Sequence, residues 1–465
     1  MIFNQNKFKD RTHLLLEKFF SGDYIHYKQL IAIIIPIFVD QAFLIMMSLL
    51  NMAMISSAGV ASVSAVSMVD SLNIFLINVF IAVATGGTVI VAQYKGNGNR
   101  EMVSKTATQA ISAVTLVSLL ISVTIILFHM PTLNLLFGKS EADIFQNAKL
   151  YLIGSCISYP FIAIFEAVCG ALRGVGETKP CLGLSLLLNV TNTVLNVVLI
   201  TILHMGVFGL VISIILARLL GMVASLIYLF KYNETIHIQV KDLWHVDFAI
   251  LKKVMYIGLP FAAEQLFFNG GKLLTQTFIV QLGALAMAVY AISNSIALLF
   301  QIGPNAISIA SVTIVGQCVG RQNIKDARKF IKSLIGLSCV IFVVAEIILL
   351  PCFPLIIRLF HPPNVIISTI FTMMVISSIA QPLFWSLSFI LPSALRAAGD
   401  STFTSVTSLL SMWLVRVILG YILGITLGLG IAGVWSAMCF EWSIRGLVFV
   451  WRFKGKKWYA HRLVD

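Results

Sequence analysis

Two carboxylates stand at matching points of this chain where an acid is costly to place. Asp40 and Glu264 each follow a proline by four residues and precede a glutamine, in Pro36-Ile-Phe-Val-Asp40-Gln41 and Pro260-Phe-Ala-Ala-Glu264-Gln265. The phrases are 224 residues apart, and each lies inside a long apolar run. A charge in hydrocarbon costs at least about 2.5 to 3.5 kcal/mol. Such an acid is therefore neutral when closed off from water and ionised when wet or beside a cation, and that alternation lets it exchange a proton for a cationic ligand. The bland reading is that both acids cap amides freed by the prolines or tie helices together. Their recurrence in both halves favours transport.

The elements that carry them follow from composition. Of 465 residues, 59% are apolar and 11% charged, a balance no soluble globular chain shows. A bilayer core about 30 Å thick needs about 20 apolar residues per helix. Twelve such spans are predicted, approximately over 28–55, 65–93, 104–128, 145–172, 181–202, 207–230, 250–280, 285–316, 330–350, 366–395, 404–427 and 431–451. The connections are too short to hide a soluble domain.

The net charge of +13 is distributed on alternate connections, the pattern of the positive-inside rule. One side holds Lys7, Lys9, Arg11 and Lys18; Lys95 and Arg100; Arg173 and Lys179; Lys231 and Lys241; Arg321, Lys325, Arg328 and Lys329; and Arg452, Lys454, Lys456 and Lys457. The other holds little beyond Lys139, Lys149 and Arg358. Both termini are expected in the cytoplasm of a multi-pass plasma (inner) membrane protein, and no nucleic-acid partner is expected. The expected organisation is a cytoplasmic N-terminal segment (1–27), a first six-helix lobe (28–230), an inter-lobe linker (231–249), a second six-helix lobe (250–452) and a basic tail (453–465).

Depth places the acids. Asp40 lies twelve residues beyond Lys28, or about 18 Å along a helix, and Glu264 eleven beyond Lys253. Both reach the bilayer midplane, where transporter sites form. The copies differ: Asp70 matches Asn294, and Lys272 matches Ser48. The first half thus pools Asp40 and Asp70, which favours it for proton or sodium coupling. The second sets Lys272 two turns beyond Glu264, about 12 Å away, and favours substrate binding or gating together with Gln41 and Gln265. Arg416, mid-span, is expected to pair with an acid from another helix. Glu166 with Arg173 and Glu441 with Arg445 read as structural ion pairs.

Enzyme motifs are missing. There is no HExxH, GxSxG or phosphate-binding loop, and Gly428-Leu-Gly430-Ile-Ala-Gly433 joins two spans rather than a strand and a helix. No enzyme, metal or cofactor is expected, and any work must come from a proton or sodium gradient. The seven cysteines form no CxxC pair and read as packing residues. Residues 1–27 lack the apolar core of a signal peptide. Trp451 and Trp458 read as interfacial anchors.

At an offset of 223 to 224 residues further phrases repeat: Gln93-Tyr-Lys-Gly96 with Gln317-Cys-Val-Gly320, Leu172-Arg173-Gly-Val-Gly176-Glu177 with Leu395-Arg396-Ala-Ala-Gly399-Asp400, and Gly206-Val-Phe-Gly209 with Gly430-Ile-Ala-Gly433. Six spans per copy is an even number, so the two lobes share one orientation and relate by an axis along the membrane normal. The predicted fold is an all-α integral membrane protein of twelve transmembrane helices in two six-helix pseudo-symmetric lobes.

The order and spacing of Gly-Gly-Thr-Val-Ile-Val-Ala-Gln-Tyr-Lys-Gly (86–96), Ala-Leu-Arg-Gly-Val-Gly-Glu-Thr-Lys-Pro (171–180), Asn192-Thr-Val-Leu-Asn196 and Ile-Val-Gly-Gln-Cys-Val-Gly (314–320) resemble the multidrug and toxic compound extrusion (MATE) family. The resemblance covers nearly the whole chain. It implies a V-shaped two-lobed bundle, monomeric and in contact with membrane lipids, that exports small amphipathic cationic drugs against protons or sodium. Many members carry aspartates where this chain has Asn51 and Asn196. With Asn192, these amides can ligate a transient sodium ion but take up no proton. Coupling then moves to Asp40 and Asp70, since Val-Ser-Met-Val-Asp70 resembles a branch with acids placed like Asp40 and Glu264. Pro36, Pro260, Arg173, Gly176, Arg396 and Gly399 read as structural motif positions. The rival is a flippase for lipid-linked oligosaccharides, for which several midplane cations are expected; Asp40, Asp70 and Glu264 outnumber Lys272 and Arg416 here.

Overall fold

In hydrocarbon every backbone amide must be satisfied within its own segment, so long apolar runs become helices. The computed structural model describes residues 13–14, 16–56, 60–137, 142–238, 247–461 and 463–464, and among these twelve long helices follow one another. They are α1 (Tyr27–Ser56), α2 (Val60–Asn97), α3 (Arg100–Leu127), α4 (Ala142–Val175), α5 (Thr178–Ile202), α6 (Gly206–Tyr232), α7 (Phe248–Gln281), α8 (Ala284–Gly320), α9 (Ile324–Leu349), α10 (Asn364–Ala397), α11 (Ser401–Thr426) and α12 (Gly430–Lys454). Ten are long and apolar enough to cross a membrane by length and composition. The other two, α7 and α12, have 34 and 25 residues, and carry Glu264 with Lys272 and Glu441 with Arg445. Lys7, Lys9, Arg11, Lys139, Lys241 and the side chain of Asn51 lie outside the described residues, as do parts of the 1–27 and 231–249 segments.

The duplication is written in the backbone. Positive φ angles recur in pairs: Gly98 (83°) with Gln322 (59°), Gly176 (92°) with Gly399 (103°), His204 (51°) with Gly428 (69°), and Gly206 (56°) with Gly430 (58°). Three of these pairs are helix ends. The Gly176 amide donates to the Arg173 carbonyl and that of Glu177 to Leu172, as Gly399 donates to Arg396 and Asp400 to Leu395. This is the Schellman closure, which a residue with no Cβ adopts without strain. Asn99 and Asn323 then cap α3 and α9, their side chains accepting from Met102 N and Asp326 N. Short helices follow α3 and α9 at corresponding places, His129–Phe137 and Phe353–Phe360.

The copies part company in α10, where Gln381–Trp385 is π-helical while α4 is regular over Ala142–Val175, and again in α11. Its last turns, Ile422–Thr426, are π-helical like Val197–Ile202 at the end of α5. A second π-helical stretch, Ser411–Val417, has no counterpart, because α5 is regular α-helix over Thr178–Asn196. A π-turn is one residue inserted into an α-helix. The repeat offset duly rises from 223 at Gly176/Gly399 to 224 at Gly206/Gly430, and at 224 Arg416 stands opposite Asn192.

The chain divides into two compact units, Val39–Gln265 and Met1–Phe38 with Leu266–Asp465. Both boundaries run through a proline-bearing helix, just before Asp40 in α1 and just after Glu264 in α7. Asp40, Asp70, Asn192, Asn196 and Glu264 all belong to the first unit; Lys272 and Arg416 belong to the second. Within the first, small residues let backbones touch. A Cβ on Gly86 of α2 would stand 2.5 Å from the Val254 carbonyl of α7, and one on Gly174 of α4 would stand 2.9 Å from the Thr88 carbonyl of α2.

Candidate functional site

The Val39–Gln265 unit holds two separate polar networks. In the first, α1 brings Asp40 beside the Ser185 hydroxyl of α5 and the Arg173 guanidinium of α4. Arg173 Nη2 lies 3.3 Å from Glu166 Oε2, two turns earlier on the same helix. Glu166 also feels the Asp40 charge. Two carboxylates thus share one guanidinium. Asp40 Oδ1 is buried with no hydrogen-bond partner among the described residues, so the surplus acid has an oxygen left for a proton or a cation.

In the second network one carboxylate oxygen of Asp70, on α2, takes two donors. Its Oδ1 accepts from the Tyr151 hydroxyl at 2.7 Å and from Asn73 Nδ2 at 3.1 Å. Asn73 Oδ1 in turn accepts from Tyr159 at 2.6 Å, and its amide also donates to Ser155 at 3.1 Å. Arg218 of α6 donates to Ser158 one turn away, at 2.7 Å. No hydrogen bond joins Asp40 to Asp70 among the described residues. Their partners are different residues: Ser185 of α5 and Arg173 of α4 for Asp40, Tyr151 of α4 and Asn73 of α2 for Asp70.

The remaining sequence candidates fall into place around these. Glu264 is buried near the middle of α7 and has polar company, as does its neighbour Gln265; Gln41 is half-buried. Asn196 is 1% exposed, and Asn192 Oδ1 has no hydrogen-bond partner among the described residues. Pro36 and Pro260 lie inside unbroken helices. Arg173 and Arg396 close the α4 and α10 ends described above, where the following acids act as staples: Glu177 accepts from Asn233 and Thr235, and Asp400 from Arg452 at 2.7 and 3.0 Å.

The second unit gathers the opposite charge. The charges acting on Lys272 are Arg416, Arg445 and Glu441, brought together by α7, α11 and α12. Arg445 pairs with Glu441 at 3.1 Å, both side chains at most 2% exposed. Arg416 does not take the acid partner expected for it: it makes no hydrogen bond or ion pair among the described residues. Trp458 also departs from expectation, being fully buried against Phe453 rather than anchored at an interface. Among the described residues no group of three or more His, Cys, Asp or Glu side chains is placed to hold a metal ion.

Tyr151, Asn73 and Ser185 carry no signal in the sequence that marks them as site residues, and Glu166 reads there as a structural partner of Arg173 alone. Tyr151 lies 81 residues from Asp70, and nothing in local spacing announces that contact. Glu166 was visible as an ionisable residue inside a span; its proximity to Asp40 was not.

The MatE family model matches residues 36–198 and 260–422. An uncharacterized transporter of Bacillus subtilis, YisQ, is 29% identical over 435 residues, covering 91% of this chain and 93% of that one. A probable multidrug resistance protein, NorM of Thermotoga maritima, is 25% identical over 93% of both chains. In structure, the outward-facing conformation of a multidrug resistance MATE family transporter of the MOP superfamily superposes with a TM-score of 0.84 at 19% identity, over 92% of this chain and 96% of that one.

Proposed function

This chain belongs to the MatE family, whose members are membrane transporters and not enzymes, and from that premise we propose that it is a secondary active multidrug exporter. It moves small amphipathic, mostly cationic solutes out of the cell in exchange for protons or sodium ions, by alternating access between its two pseudo-symmetric lobes. The relatives named as multidrug resistance proteins support the substrate class. The observation that carries the mechanism is the surplus carboxylate at Asp40: two acids on one guanidinium, with Asp40 Oδ1 unpartnered.

A proton on Asp40 and a cation beside it are alternative ways to satisfy the same buried oxygen. Occupation by one disfavours the other, and that competition is what antiport requires. Glu264 supplies a second buried acid in the same unit, at the matching point of α7. The comparisons do not favour the lipid-linked oligosaccharide flippase.

The test is ethidium efflux from proteoliposomes with a proton gradient and a sodium gradient imposed separately. Transport driven by one of them is the expected result; transport driven by neither ends the antiport reading. Asp40→Asn and Glu264→Gln are expected to slow efflux, and wild-type rates in both would remove these residues from the mechanism while leaving the family assignment intact.

A further inference from the structure

We propose that the unit containing Leu266–Asp465 holds an oxyanion site, built from Arg416, Lys272 and Arg445 beside the Phe268 ring that the last two cover, that takes the carboxylate or phosphate of an amphipathic molecule. Three cations meet there and only one acid, Glu441, whose Oε1 is engaged by Arg445 and by the Ser411 hydroxyl, each at 3.1 Å, and whose Oε2 is buried with no hydrogen-bond partner among the described residues, so one carboxylate stands against three positive charges. Arg416 is 5% exposed, its Nε is wholly buried, and it makes no hydrogen bond or ion pair among the described residues. A guanidinium keeps its charge and carries five donors. Buried without a counter-ion, it is in one of the costliest states a side chain can hold, and an oxyanion relieves it. The planar fork matches carboxylate and phosphate geometry.

The position of these groups is fixed by close helix contacts. A Cβ on Gly271 would stand 2.7 Å from Met412 Cγ, and Trp413 Nε1 donates to the Phe267 carbonyl at 3.2 Å. Lys272 therefore sits against the turn that carries Arg416. Lys272 is exposed where Arg416 is buried, so the lysine marks the open side. The turn is the π-helical Ser411–Val417 stretch that the first repeat lacks, and π-turns gather at functional sites. Its inserted residue sets an arginine opposite Asn192.

An apolar floor adjoins the charges. Lys272 Nζ lies 5.1 Å from the Phe268 centroid and the Arg445 guanidinium 5.3 Å from it. Arg445 also covers Phe389 at 4.4 Å, which stacks on Trp385 at 4.5 Å. Aromatic faces beside a cationic cluster suit a flat molecule with an acidic group. The site stands on the charges of one unit; that its occupant is an exported solute rests on the export reading, and widens the substrate class from cations to zwitterions and anions.

Rhodamine 110, which carries a free carboxylate, and rhodamine 123, its methyl ester, differ in that group alone. Their affinities for the full-length protein in phosphatidylcholine nanodiscs are read by fluorescence anisotropy. Arg416→Gln is expected to lower the ratio of acid affinity to ester affinity about tenfold or more, the loss of one charge-assisted contact. Lys272→Gln lowers the ratio less, and Arg416→Lys retains part of it. If the natural occupant is a lipid headgroup, native mass spectrometry finds phosphatidylglycerol retained by the wild type and lost from Arg416→Gln. An unchanged dye ratio in all three variants together with unchanged lipid retention overturns the proposal, as does an equal loss of both dyes. Should Arg416→Gln fail to fold, the exposed Lys272→Gln carries the same comparison. Gradient-driven ethidium efflux reports on export independently of the dye ratio, so the two readings can fail separately.

Discussion

The Tyr151 hydroxyl donates to Asp70 Oδ1 across 2.7 Å, tying α4 to α2 through a carboxylate inside the membrane-spanning part of the chain. A hydrogen bond to a charged acceptor contributes about 1.5–3 kcal/mol. Tyr151→Phe leaves Asp70 with Asn73 alone and is expected to lower thermal stability by about that amount while the carboxyl survives. Asp70→Asn removes the acid itself and is expected to slow gradient-driven efflux more than Tyr151→Phe does. Equal residual efflux in the two variants would mean that the hydroxyl contact, and not the charge, is what matters.

Asp40 and Glu166 share Arg173 but should respond in opposite ways to neutralisation. Asp40 Oδ1 lacks a hydrogen-bond partner among the described residues, so Asp40→Asn relieves a buried acid and is expected to leave the melting temperature unchanged or raise it while efflux falls. Glu166→Gln removes the carboxylate 3.3 Å from Arg173, leaving the Asp40 charge as the acid acting on that guanidinium, and is expected to destabilise the protein, because breaking one side of a part-buried ion pair costs more than the pair itself is worth. Thermal melts of both variants decide it. A stability loss in Asp40→Asn as large as that in Glu166→Gln would recast Asp40 as a structural residue.

How much of this was legible beforehand follows from where the information lies. The twelve spans were readable because apolar runs and polar breaks are local. Their ends were less so: α3 and α9 begin at Arg100 and Ile324, ahead of the apolar windows at 104 and 330, since Asn99 and Asn323 start each helix within polar sequence. The pairs Glu166–Arg173 and Glu441–Arg445 were visible because both partners share a helix. Arg416 was expected to find an acid on another helix, and here spacing is silent. Only the packing of α7, α11 and α12 shows that it stands among Lys272, Arg445 and the already paired Glu441. The π-turn was hidden as a one-residue change of repeat offset, which reads in a sequence as an ordinary insertion.

Gly86 tests how closely α2 and α7 must approach. A Cβ there would meet the Val254 carbonyl at 2.5 Å and the Gly258 nitrogen at 2.9 Å, and backbone atoms cannot turn aside as a flexible side chain can. Overpacking of this kind costs about 1–3 kcal/mol. Gly86→Ala is expected to lower the melting temperature, and Gly86→Val to lower it further. Unchanged melting in both would show that the two helices part without cost.

Gln322 and Gly98 occupy equivalent helix ends in the two repeats, with φ of 59° and 83°, and both are exposed. The left-handed conformation costs a residue with a Cβ about 1–2 kcal/mol. Glycine avoids that cost but loses about 0.4–1 kcal/mol through its freer unfolded chain. The conformational cost is the larger, so Gln322→Gly is expected to raise stability slightly and Gly98→Ala to lower it. A Cβ on Gly98 would meet nothing within 4 Å, so no clash adds to the backbone strain in that direction. Melting curves of the two variants should therefore move in opposite senses by similar amounts. A drop for Gln322→Gly would assign the glutamine a stabilising role that outweighs its backbone angle.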